Sequence, residues 1–156
     1  MAIEIERKFL VRDDSWRLHA DAGTRYRQGY LGNDPQCSVR VRIAAEQAWL
    51  SVKSATSAIS RLEYEYLIPR SDAEELLDGL CSTAPVEKTR FLVKHAGHIW
   101  EVDVFAGANA GLTVAEIELD DEQEAFAEPA WLGAEVSNDP RYFNMNLAQW
   151  PFSQWE

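Results

Sequence analysis

Charged residues spaced two apart, cluster after cluster, constrain the fold of this 156-residue chain more than any other feature. The series opens with Glu4-x-Glu6-x-Lys8. It continues through Arg40/Arg42, Arg61/Glu63/Glu65, Lys88/Arg90, Glu101/Asp103 and Glu116/Glu118, with Lys53 alone between two clusters. On a β-strand, positions i and i+2 point to the same face. The intervening positions are largely apolar: Ile3, Ile5, Val39, Val41, Val52, Leu62, Val102, Val104, Ala115 and Ile117. Strand after strand therefore carries one apolar face and one ionic face, and the ionic face holds both signs.

Eight segments alternate with period two, over 3–11, 24–32, 37–44, 47–54, 59–69, 86–95, 98–105 and 112–120. The links 32–35, 44–47 and 95–98 read as hairpin turns, and 54–60 as a small, polar, mobile loop. Ser71-Asp72-Ala73-Glu74 has the form of a capping box, followed by an apolar stripe at Leu76, Leu77 and Leu80. Asp139-Pro140 reads as an N-cap with proline at the first helical position, opening a helix to about Gln149. Shorter helices are expected near 13–20 and 121–127. Eight mostly hairpin-linked strands favour a mainly β (α+β) fold, an eight-stranded antiparallel barrel with a few flanking helices.

The net charge of −11 argues against a nucleic-acid or anionic-membrane surface, both of which require an exposed basic patch. The patterned set sums to −1, so nearly all of that negative charge lies elsewhere on the surface. No apolar run is long enough to span a bilayer, and a cytoplasmic protein is expected. The length suits a single domain over 1–156. Cys37 and Cys81 are too few for a disulfide framework and are expected as buried free thiols. His95 and His98 flank a glycine turn without a third zinc ligand, His19 reads as a surface residue, and the tryptophans read chiefly as outer packing.

The ionic face has two possible destinations: bulk water, the usual fate of polar alternation, or the lumen of a closed barrel. Solvated faces mix charges, whereas here Arg sits with Arg and Glu with Glu at about 7 Å, where like charges repel. A group of opposite charge between them relieves that repulsion. Glutamate pairs suit hard divalent cations, and Arg and Lys pairs suit phosphate oxygens. Together the two sets match a polyphosphate carrying metal ions. No P-loop and no Gly-x-Ser-x-Gly elbow is present.

These residues resemble a known family. Glu4-Ile5-Glu6-Arg7-Lys8 is similar to the Glu-x-Glu-x-Lys signature of the CYTH superfamily, the triphosphate tunnel metalloenzymes. The likeness continues in order through Gln28 to Leu31, Val39 to Arg42, Leu50 to Lys53, Arg61 to Glu65, Glu87 to Arg90, Trp100 to Phe105, Ala115 to Glu118, Glu135 to Ser137 and Asp139 to Asn144. It implies a barrel forming a tunnel, with helices covering the outer apolar face. It further implies that Lys8, Arg40, Arg42, Lys53, Lys88 and Arg90 grip a triphosphate, with Arg61 assisting or standing at the loop mouth. Glu4, Glu6, Glu63, Glu65, Asp103, Glu116 and Glu118 would hold one or two Mg²⁺ or Mn²⁺ ions, and Glu101 ranks below them. Ser51 departs from the threonine of many members. The resemblance also allows a homodimer.

The expected reaction is hydrolysis of inorganic triphosphate to diphosphate and phosphate. Glu4 or Glu6 would take the water proton, and Lys8 with Tyr30 would stabilise the end where cleavage occurs. Thiamine triphosphatase and adenylate cyclase activities are the alternatives on the same fold, with an organic group against Trp49 or Trp16. A non-catalytic polyphosphate- or nucleotide-binding module is the alternative of another class.

Overall fold

The computed structural model describes residues 3–32, 34–55 and 59–155. The alternating segments form β1 (Ile3–Val11), β2 (Thr24–Tyr30), β3 (Cys37–Ala44), β4 (Gln47–Ser54), β5 (Ser60–Ile68), β6 (Val86–His95), β7 (His98–Phe105) and β8 (Thr113–Leu119). All neighbours are antiparallel, in the order β5-β4-β3-β2-β6-β7-β8-β1. Ile3 pairs with Leu62, joining β1 to β5 and closing an eight-stranded barrel. A ninth strand, β9 (Leu132–Glu135), pairs with Phe9 and Val11 at the other end of β1. Nothing in its four residues, Leu-Gly-Ala-Glu, alternates clearly enough to mark it as a strand.

Tight turns join β3 to β4 and β6 to β7, and each places an alanine in the left-handed region, Ala45 at φ 53° and Ala96 at φ 48°. The expected turn at 32–35 and loop at 54–60 include residues 33 and 56–58, which lie outside the described residues.

Helices cover two parts of the outer face. Helix α1 (Arg70–Gly79) packs Ala73 and Leu77 on Val41, Ile43 and Ala48. It follows Pro69 directly, so Ser71 lies inside its first turn and the expected capping box does not form. Gly29 lets this helix approach: a Cβ there would lie 2.7 Å from Cys81 Sγ and 2.9 Å from a Leu77 methyl. A second cluster joins Phe9, Trp100, Val102 and Ile117 to Trp16, Phe126 and Trp131, which arrive from a 3₁₀ turn at Ser15–His19 and from the segment after β8. That segment forms no helix over 121–127. The Glu124 side chain instead accepts from the Asp120 amide at 2.7 Å and meets His98 Nε2 at 2.6 Å. Coverage stops short of β5, where Tyr64 and Tyr66 are exposed. Cys37 is also exposed, at the start of β3, and Cys81 half-buried, so neither is the sealed thiol expected.

At one end of the barrel the lumen-facing positions turn apolar: Leu10 follows Lys8, Val86 precedes Lys88, Phe105 follows Asp103 and Val114 precedes Glu116. The C-terminal segment packs on them through Val136, Tyr142 and Leu147. Asp139 caps this segment, its side chain accepting from the Arg141 amide, but only for one 3₁₀ turn, Pro140–Tyr142. Phe143 is extended, and helix α2 (Asn144–Gln149) starts afresh beyond it. The single helix expected from Asp139 is thus broken, and the break turns Asn144 towards the lumen.

Candidate active site

Strand parity decides the destination of the ionic face. Apolar positions pack outward under α1 and the aromatic cluster, so the charged positions face a cavity of about 570 Å³. Its wall includes Lys8, Arg40, Arg42, Lys53, Arg61, Lys88 and Arg90, all the predicted phosphate-gripping residues. Glu4, Glu6, Glu63, Glu65, Glu101, Glu116, Glu118 and Tyr30 line it as well, Glu65 and Glu118 at exposed positions. Asp103 does not. It is fully buried behind the wall, where one oxygen accepts from Arg90 Nε at 2.8 Å and the other from Lys88 Nζ at 2.7 Å and Arg90 Nη2 at 2.9 Å.

Sheet register offsets part of the like-charge crowding, although it also sets Glu6 opposite Glu118 and Glu101 opposite Glu116. Cross-strand partners are Glu4 with Arg61, Lys8 with Glu116, Lys53 with Glu63 and Arg90 with Asp103. Ion pairs follow: Lys53 to Glu63 at 2.7 Å and to Glu4 at 3.3 Å, Lys8 to Glu116 at 3.4 Å, Arg90 to Glu101 at 2.8 Å, and Arg40 to Glu65 at 3.6 Å. Ser51 accepts from Arg40 and donates to Glu65, so its hydroxyl holds an ion pair together rather than standing free.

Among the described residues, Arg42 and Glu118 stand outside this pairing. Arg42 makes no ion pair among the described residues; its Nε donates to Gln28 Oε1 at 2.9 Å, and its guanidinium lies 4.7 Å from the Tyr26 ring centre. Burial and the neighbouring Arg40 and Arg90 pull its pKa down to about 10. Glu6 has a long contact with Lys8 Nζ at 3.9 Å, and burial, with Glu116 and Glu4 close by, pushes its pKa up to about 8. Glu4 differs. Burial alone would raise it, but Lys53 and Arg61 outweigh that and hold it at about 2. Burial draws Lys88 down to about 7 against the pull of Asp103.

The carboxyls fit a divalent cation in chemistry, all oxygen donors with several crowded enough to resist ionising. Glu118 is raised by burial, then by Glu101, Glu4 and Glu63. Glu4 Oε2 is buried, with Lys53 Nζ 3.3 Å away but no well-formed hydrogen bond. Among the described residues no three of these groups converge on one point, because lysines and arginines stand between them.

Sequence patterning missed the neutral residues of the site. Gln28, Tyr26 and Asn144 touch three of the cations, yet an uncharged side chain adds nothing to a charge pattern. Trp16, proposed as an aromatic for an organic group, is sealed in the outer core, and Trp49 is not part of the cavity wall.

The model of the CYTH domain matches residues 2–146. The inorganic triphosphatase of Acetivibrio thermocellus is 47% identical over 156 residues, all of this chain and 99% of that protein. That of Nitrosomonas europaea is 39% identical over 151 residues, 93% of this chain and 96% of the relative. A crystal structure of an inorganic triphosphatase superposes with a TM-score of 0.67 at 36% identity, covering 95% of each chain. A Pyrococcus horikoshii protein at 19% identity shares the fold, with a TM-score of 0.61 over 76% of this chain and 79% of that one. With the family model spanning nearly its whole length and two close relatives aligned end to end, this chain belongs to the CYTH domain family.

Proposed function

We propose that this protein hydrolyses inorganic triphosphate to diphosphate and phosphate inside the barrel, residues 1–156 acting as one domain. The observation that carries this reading is Arg42, a guanidinium in the lumen with no carboxylate partner among the described residues, beside Arg40 and Arg90. Its terminal nitrogens are free to take phosphate oxygens in the forked geometry that arginine favours. The names of the two relatives support the same substrate.

Lys8, Arg40, Lys53, Arg61, Lys88 and Arg90 surround that seat, and each can turn from its carboxylate towards a phosphate. At an effective dielectric near 20, one close opposite-charge contact gains about 4 kcal/mol, so several hold a triphosphate firmly. Glu4, Glu6, Glu63, Glu65, Glu116 and Glu118 are the residues that would hold Mg²⁺ or Mn²⁺. Asp103 is better read as a brace, since Lys88 and Arg90 already use both its oxygens. When bound, such an ion neutralises phosphate charge and makes water a better nucleophile.

Water oxygen bonds to the terminal phosphorus as the bond to the bridging oxygen breaks, and diphosphate leaves with that oxygen. Of the two candidate bases, Glu6 is better matched to the proton. In its ionised form Glu6, raised to about 8, accepts a proton readily, whereas Lys53 and Arg61 hold Glu4 too acidic to do so.

Phosphate release from inorganic triphosphate, ATP and thiamine triphosphate, with and without Mg²⁺ or Mn²⁺, tests the reading. Inorganic triphosphate is expected to be the best substrate and to need the metal. No release from it with either ion would overturn the proposal.

A further inference from the structure

Resting on that reading, we infer that Asn144 is a positioning residue: through Gln28 it aims the free guanidinium of Arg42 at the substrate, tying the C-terminal segment to the phosphate seat. Asn144 opens α2 and projects towards the lumen, where its Oδ1 accepts from Lys88 Nζ at 3.0 Å and from Gln28 Nε2 at 3.2 Å. Gln28 is fully buried, and its Oε1 accepts from Arg42 Nε at 2.9 Å.

The direction of this chain is forced by chemistry. An ammonium and a guanidinium only donate, so Asn144 must present its oxygen to Lys88, and Gln28 must present its own oxygen to Arg42. That leaves the Gln28 NH₂ to face Asn144 Oδ1, which accepts it. Reversing either amide would set donor against donor in a buried site, so each amide has one orientation. Arg42 lacks the carboxylate that anchors its neighbours. Among the described residues its aim rests on the Gln28 carbonyl and the Tyr26 ring. Asn144 touches neither the Arg42 fork nor any of the carboxyls proposed for the metal.

Asn144 is held in turn from outside the barrel. Tyr142 and Leu147, on either side of it, are buried against Val86, Phe105 and Val114. Packing of the C-terminal segment is thereby converted into the angle of one arginine. The Phe143 break is what allows this, since a continuous helix from Pro140 would turn residue 144 differently.

The test is a direct reading of Arg42 together with a kinetic cycle. In ¹⁵N-labelled protein, the Arg42 Nε–H signal, assigned by its loss in Arg42→Lys, is expected to exchange slowly. In Asn144→Leu it is expected to exchange at least about tenfold faster, although residue 144 does not touch Arg42. Asn144→Leu should also lower kcat/KM for inorganic triphosphate by about tenfold, and by less than about twofold once Gln28 is already Leu. If the leucine variant does not fold, Asn144→Ser supplies the same comparison. Unchanged Arg42 exchange, or an equal kinetic loss in both backgrounds, would overturn the relay. A wild-type protein inactive on triphosphate would overturn the functional reading, while the exchange measurement would still decide the relay.

Discussion

At the residue scale, the lumen sets ionisable groups against burial, and four side chains test the outcome. Asp103 is enclosed with Lys88, and both are inaccessible to solvent. Asp103→Asn keeps the shape but strands the buried Lys88 and takes one of three carboxylates from Arg90, so a loss of about 3–5 kcal/mol is expected in urea unfolding. A loss below about 1 kcal/mol would mean that the cations find other partners. Glu6 gives a signed pH dependence. Its proton is held more tightly in the folded state than in the unfolded chain, where the pKa is near 4.5. The resulting stabilisation is complete below that value and is lost as pH rises through about 8. In chelator, the stability of Glu6→Gln relative to wild type should therefore climb between those limits, by up to about 1.4 kcal/mol per pH unit. A flat difference in denaturation midpoints would contradict the shift. For activity, Arg42→Ala or Lys53→Ala should each cost roughly 10²–10³-fold in turnover, and full activity in both would remove the lumen from the mechanism.

At the element scale, regular alternation determines much and local chemistry the rest. The eight barrel strands were legible because side chains alternate strictly across a pleated sheet, so a run of ionic and apolar residues identifies both strand and face. Elements with weaker patterns were not. Strand β9 is stabilised by the free edge of β1 beyond the reach of β5, a partner that no four-residue window reveals. The helix expected from Asp139 breaks at Phe143, and the capping box at Ser71 gives way to a start set by Pro69. Tight turns carry a testable strain. Ala96, at φ 48°, precedes Gly97 at φ 84°, where asparagine or glycine is favoured. Ala96→Asn should raise stability by about 0.5–1 kcal/mol in urea unfolding, and a loss would show that the β6–β7 turn relaxes in solution.

At the scale of the whole molecule, closure turns eight two-faced strands into an inside and an outside, and the carboxyls of separate strands then share one space. Converting both Glu116 and Glu118 to Gln should raise the Mg²⁺ concentration needed for half-maximal phosphate release by at least about tenfold. An unshifted titration would exclude them as ligands. By itself the sequence determined that charge is gathered on one face of most strands, cationic on some, anionic on others and mixed on β1 and β5, because period-two placement is a local property of the backbone. Tertiary structure decided which charges meet. Cross-strand register set Lys53 on Glu63 and drew Asp103 behind Arg90, and among the described residues it left Arg42 without an ion pair. The returning C-terminal segment brought Asn144 to Gln28 across 116 positions of sequence. Pairing at such separations depends on how the sheet closes and what packs over its end, and strand periodicity holds no record of either.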